Sequence, residues 1–142
     1  MNPDCIFCRI AAGEIPSRKV YEDDLVVAFL DIAPLSPGHV LVVPKEHFNP
    51  LWNVPDEVLS RLLSVAKRVA KALMDSSLAP DGVNLFQTNG PAAGQTVFHV
   101  HFHVIPRKDG DGAGWTFREH PYASAEAADA TAAELADALA KG

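Results

Sequence analysis

Three histidines at alternate positions, His99, His101 and His103 in the stretch TVFHVHFHVIPR, are the chain's densest group of reactive side chains. In an extended strand alternate residues share a face, so the three imidazoles point one way while Val100, Phe102 and Val104 fill a core on the other. Three chemistries fit such a face: solvated polar side chains, a metal site, or nucleophilic catalysis. Strand rise sets the outer two about 13 Å apart. One ion needs nitrogen ligands at about 2.1 Å, so a single straight strand cannot easily supply all three, and at least one histidine has another task. A neutral imidazole is a competent nucleophile toward phosphorus near pH 7. The preceding glycine-rich loop NGPAAGQ (89–95) and Thr96 offer the backbone N–H and hydroxyl donors that a phosphate needs.

The two cysteines, Cys5 and Cys8, stand at C-x-x-C spacing. That is half a zinc site, since a closed structural site needs two further ligands. The opening MNPDCIFC has neither a basic start nor an apolar run, so we expect a cytoplasmic protein in which paired cysteines serve metal or redox chemistry more than a disulfide. The redox reading also needs a thioredoxin-like context that the chain lacks. A net charge of −6 without a long Lys/Arg run argues against general nucleic-acid binding, where a basic face displaces counterions. No segment approaches the roughly 18 apolar residues of a membrane span.

The elements that must carry these residues can be read coarsely. CIFCRIAA (5–12) predicts a short helix closed by Gly13, and KVYED (19–23) and LVVAFLDI (25–32) predict a hairpin across an acidic turn. HVLVVPK (39–45) and GVNLFQT (82–88) predict further strands. Between them Leu59, Leu62, Leu63, Ala66, Val69, Ala70 and Leu73 recur at helical spacing after Pro55, so a long amphipathic helix is expected there. The alanine-rich tail is expected to be helical from Ser124 onward, weakly packed because Leu135 and Leu139 are its main apolar side chains. At 142 residues we expect a single domain over 1–142: an α+β fold with an antiparallel sheet of about five strands, a long helix packed on it and a short N-terminal helix.

GPAAGQTVFHVHFHVIPR resembles the extended signature of the histidine triad (HIT) family, and CIFCRIAAGEIPSRKVYEDDLVVAFLDIAPLSPGHVLVVPKEH is similar to the N-terminal half of its bacterial Hint-like hydrolases. The two blocks cover about residues 5–107, leaving 108–142 as a C-terminal extension. The resemblance implies a hydrolase or transferase that attacks the α-phosphorus of nucleoside monophosphate conjugates, adenosine phosphoramidates foremost, through a covalent nucleotidyl-histidine. A dinucleoside polyphosphate hydrolase of the same family is the alternative. Outside that class stand a non-catalytic nucleotide-binding partner protein and a metallohydrolase with zinc at the triad.

Residue by residue, the resemblance makes His101 the nucleophile, sets His103 beside the α-phosphate and leaving group, and gives His39 the place of the fourth, supporting histidine. Gln95 and Thr96 match the element that contacts phosphate, and Asp31 the acid that accepts from the ribose hydroxyls. Ile6, Phe7, Ile10, Phe29 and Ile32 match the base pocket, with adenine preferred on the family's account. Many relatives carry Asn or Gln where this chain has Thr88, so Asn89 is a candidate to take over that contact. Relatives opening on CIFC resemble zinc binders, which assigns a structural zinc to Cys5, Cys8, His47 and His99 and leaves the chemical step without need of a metal. The family also implies a homodimer through the long helices and central strands. Trp115 is a candidate for stacking on a leaving group.

Overall fold

The run VVAFL alternates nothing: every residue in it is apolar, as in VLVVP. A strand with that pattern must be covered on both faces. In the computed structural model, which describes residues 1–112 and 118–142, these runs are β2 (Val26–Leu30) and β3 (Val40–Pro44). They lie at the middle of a five-stranded antiparallel sheet whose other members are β1 (Lys19–Glu22), β4 (Gly82–Gln87) and β5 (Phe102–Arg107). The strand order is β1-β2-β3-β5-β4, so the expected α+β arrangement with about five antiparallel strands is the observed one.

One sheet face carries Val26, Ala28, Val40, Val42 and Val104 against α2 (Asp56–Asp75), which buries Leu62, Val65, Ala66, Val69 and Leu73. Asp56 and Glu57 in the first turn of α2 complement its N-terminal dipole. Leu63, expected on the buried face, is 43% exposed, because it lies on the flank of the stripe that Leu62, Ala66 and Val69 define. The opposite sheet face carries Val27, Phe29, Leu41 and Val43 under α1 (Ile6–Ala11), with Phe7, Cys8 and Ile10. The alternation of β2 and β3 thus builds two apolar layers, and the reactive residues gather on the α1 side.

The β2–β3 turn ends at Gly38, whose φ of +95° suits glycine. A Cβ there would also meet the Leu78 side chain at 2.6 Å. The tail forms α3 (Ala125–Lys141), capped by Ser124 Oγ accepting from the Ala127 N–H at 3.0 Å. No residue of α3 is buried. Trp115 lies outside the described residues. Among the described residues, no helix is long and apolar enough to cross a membrane.

Candidate functional site

Pairing of β5 with its neighbours begins at Phe102, opposite Val42 and Gln87. His103 is therefore the one triad histidine inside a regular strand, while His99 and His101 occupy the extended approach to it. The reason lies in β3, which ends on Pro44. The Pro44 carbonyl accepts a hydrogen bond from His99 Nε2 at 2.8 Å, so a side chain takes the bond that a ladder partner would make. The Val100 N–H goes instead to the Phe48 carbonyl at 2.8 Å. Even so, His99 and His101 lie on the same side of the chain, both edge-on to Phe7 at 5.9 and 5.0 Å.

Hydrogen bonds assign each imidazole its tautomer. The Leu35 N–H donates to His39 Nδ1 at 3.1 Å, so the proton of His39 resides on Nε2. That Nε2–H donates to His103 Nδ1 at 2.9 Å, leaving the His103 proton on its own Nε2. His101 Nδ1 lies 2.7 Å from the His99 carbonyl; a carbonyl only accepts, so Nδ1 carries the proton and Nε2 keeps a lone pair. The backbone at Leu35 and His99 thereby prepares one nucleophilic nitrogen on His101 and one N–H donor on His103, rings 4.9 Å apart.

Burial keeps this set neutral. It pushes His101 and His39 below the ordinary imidazole pKa, with the Asp31 carboxylate opposing it in both. His103 is pushed down to about 4, first by burial and then by the neighbouring His101 and His39. Phe86, paired opposite His103, stacks on that ring at 4.3 Å and 14°. Sequence reasoning missed Phe86; the register of β4 against β5 is the signal that finds it.

Asp31 lies 3.7 Å from His39 Nε2 through Oδ2, while Oδ1 accepts from the Ala33 N–H at 2.9 Å. Phe7, Ile10 and Phe29 form one buried cluster, with Phe7 edge-on to Phe29 at 5.7 Å. Ile6 and Ile32, expected beside them, are 44% and 88% exposed. Gln95 is only 4% exposed. Its Oε1 accepts from the Gly90 N–H at 2.7 Å, and its Nε2 donates to Asn49 Oδ1 at 2.7 Å and the Val97 carbonyl at 3.1 Å. Asn89 exchanges hydrogen bonds with the Gln87 amide and accepts from the Leu51 N–H at 2.9 Å. Both amides hold the glycine-rich loop in shape. Thr96 is exposed and lines a cavity of about 320 Å³ with Asn2, Ile6 and His47.

The fourth set of polar atoms converges on a point. Cys5 Sγ and Cys8 Sγ lie 3.4 and 3.5 Å from His99 Nδ1, Cys8 Sγ lies 3.4 Å from His47 Nδ1, and the two imidazole nitrogens are 3.2 Å apart. Since His99 spends its Nε2–H on Pro44, its Nδ1 presents a lone pair. A tetrahedral zinc with bonds of about 2.3 Å to sulfur and about 2.1 Å to nitrogen spaces S and N about 3.6 Å apart and the two nitrogens about 3.4 Å apart. The observed spacings fit, and all four donor atoms lie within 4.8 Å of one another. The Pro44 carbonyl is the kind of outer partner that fixes an imidazole when it ligates a metal. Burial pushes the Cys8 thiol up, so a bound dication is what would make it a thiolate.

The HIT-domain family model matches residues 12–110. An adenosine 5'-monophosphoramidase of Candida albicans is 49% identical over 120 residues, 80% of this chain and 79% of that protein. Among solved structures, a HIT family protein from Bacillus anthracis superposes with a TM-score of 0.88 at 39% identity, covering 97% of this chain and 99% of that one. A Zn-bound histidine triad family protein from Mycobacterium smegmatis superposes with a TM-score of 0.75 at 40% identity, covering 95% and 97%.

Proposed function

The chain belongs to the HIT-domain family, and on that premise we propose that it is a nucleotide hydrolase or transferase acting at the α-phosphorus of nucleoside monophosphate conjugates, adenosine phosphoramidates first among them. The observation that carries this reading is the pair of opposed tautomers: a lone pair on His101 Nε2 and a proton on His103 Nε2. His101 Nε2 attacks phosphorus, the bond to the leaving nitrogen breaks, and the His103 Nε2–H supplies the proton that the departing amine requires. Water then cleaves the nucleotidyl-histidine: its oxygen bonds to phosphorus, its proton returns to His103 Nε2, and the broken N–P bond leaves His101 with its lone pair. His39 is a positioning residue, since it acts through His103.

Asp31 accepts from the ribose hydroxyls, and Phe7, Ile10 and Phe29 form the base-side wall with Ile6 and Ile32 at its outer edge. Thr96 meets the phosphate, while Gln95 and Asn89 serve that contact through the loop they hold. Cys5, Cys8, His47 and His99 hold a zinc ion that clamps α1, and with it Phe7, against the histidines; when bound it supplies structural stability and takes no part in bond breaking. The name of the Candida albicans relative supports the substrate class, and the Zn-bound Mycobacterium smegmatis structure supports the metal. A cytoplasmic setting, where thiols stay reduced, and a homodimer complete the reading. His101→Ala assayed with a fluorogenic adenosine phosphoramidate tests it. Activity should fall by at least about 10³-fold, the scale for loss of a covalent nucleophile, and full retention would refute the mechanism.

A further inference from the structure

Two features outside the site lack a counterpart among the described residues. The first is α3, which follows residue 110, where the family match ends. In this helix Ala128, Ala132, Leu135 and Leu139 fall at i, i+4, i+7 and i+11, a spacing that lays them along one stripe. Leu135 is 58% exposed and Leu139 80%. Glu126, Glu134 and Asp137 occupy the other face and Asp129 borders the stripe; none of the four meets a cation among the described residues. Helices in proteins draw most of their stability from packing an apolar face, so a stripe whose two leucines stand exposed calls for a cover.

The second feature is an apolar groove of about 460 Å³ between α2 and the β1 side of the sheet. Leu30, Val65, Val69 and Leu73 line it, and the exposed side chains of Arg68 and Ala72 stand at its edge. The Arg68 guanidinium lies 5.0 Å from the Tyr21 ring centre and, like neighbouring Lys67, meets no carboxylate among the described residues. No residue of α3 lines its own chain's groove.

We propose that α3 of one copy lays its Ala/Leu stripe into this groove on a second copy, and that the second copy returns the same contact. The alanines let the helix approach closely while the two leucines fill the depth. Asp129, at the border of the stripe, is the acid placed to meet the Arg68 edge of the groove, while Glu126, Glu134 and Asp137 keep the outer face of the helix in water. Reciprocal exchange closes at two chains with two-fold symmetry, leaving no open surface for further growth. A 17-residue helix is about 26 Å long and about 10 Å across. Two such contacts bury on the order of 1,000 Å², the lower edge of a stable interface. The contact is independent of the catalytic reading and adds a surface of its own to the expected homodimer.

Amide hydrogen exchange on the full chain tests it, for wild type, Ala72→Glu and Leu135→Asp/Leu139→Asp, each across a dilution series. Every substituted position is exposed, and sheet amides report whether each variant is folded. We expect α3 amides of wild type to slow by about tenfold or more from the dilute to the concentrated end. Both variants should lose that protection with the sheet unchanged. Three results would overturn the contact: α3 protected equally across dilutions at which sedimentation shows the dimer dissociating, which places it on its own chain; α3 unprotected throughout; or protection intact in Ala72→Glu. Sedimentation run in parallel reads dimerisation by any surface, so failure of this contact is distinguishable from failure of the homodimer.

Discussion

Replacing His39 by alanine separates a positioning role from a catalytic one. His39 is 2% exposed and joins the Leu35 N–H to His103 Nδ1 through contacts of 3.1 and 2.9 Å. Its removal strands a half-buried acceptor on His103 and leaves the Leu35 N–H to whatever water reaches that loop. A buried polar group without a partner costs about 1–3 kcal/mol. The His103 side is half-buried and bears most of that cost, whereas Leu35 is 57% exposed and can be rehydrated. Adding the small cavity, stability should fall by about 2–4 kcal/mol. His101, the proposed nucleophile, keeps its own bond to the His99 carbonyl, so chemistry should survive with a loosely held proton donor. About 1.4–2.7 kcal/mol of lost orientation corresponds to a 10- to 100-fold fall in kcat/KM. His39→Gln, with one acceptor and one donor on the same amide, should recover part of both losses. Urea denaturation and steady-state kinetics on the two variants check this. A His39→Ala protein as inert as His101→Ala yet as stable as wild type would refute the relay.

Three other outcomes follow from the geometry. Wild type purified without chelator should carry about one zinc per chain, and Cys8→Ala, left with three ligands, should lose most of it together with thermal stability; metal-free wild type of unchanged Tm would sink the structural role. Asp31→Asn should lower the preference for ribo- over 2'-deoxyribonucleotide substrates by about tenfold or more, the scale of a charge-assisted hydrogen bond, and an unchanged preference would remove Asp31 from the ribose. The folded-state pKa of His103, about 4, lies below the ordinary imidazole value. Its contribution to stability is therefore complete above about 6.5 and lost as pH falls toward 4, because the unfolded chain binds the proton more readily in that window. Activity should accordingly stay level from pH 8 to 6 and decline only below about 5, and a midpoint at 6.5 would contradict the buried, neutral triad.

The framework was legible because it rests on local patterns. The unbroken apolar runs of β2 and β3 announce strands covered on both faces, and the spacing of Leu62, Ala66, Val69 and Leu73 announces the helix that covers one of them. The chemistry was legible as residue types: alternate histidines, a C-x-x-C pair, an acid before a turn. What escaped depends on register between distant strands. That Leu41 pairs with His103 and Phe86 with the same residue is a three-dimensional fact, and it brings the Phe86 ring to His103. The delayed start of β5 escaped because its cause is a side chain, His99, taking the Pro44 carbonyl. Ile6 and Ile32 fit the pattern of apolar wall residues, yet type alone does not report exposure. Gln95 and Asn89 entered as ligand contacts through the resemblance, and residue type did not report that their amides also hold the glycine-rich loop.

The central claim is that His101 Nε2 becomes bonded to phosphorus. Rapid mixing with an adenosine phosphoramidate, an alkaline quench that spares phosphoramidate bonds, and peptide mass spectrometry test it directly. One nucleoside monophosphate should appear on His101, formed and consumed at rates that support turnover and absent from His101→Ala. Turnover with no adduct at any time, or an adduct on another residue at full activity, would contradict it.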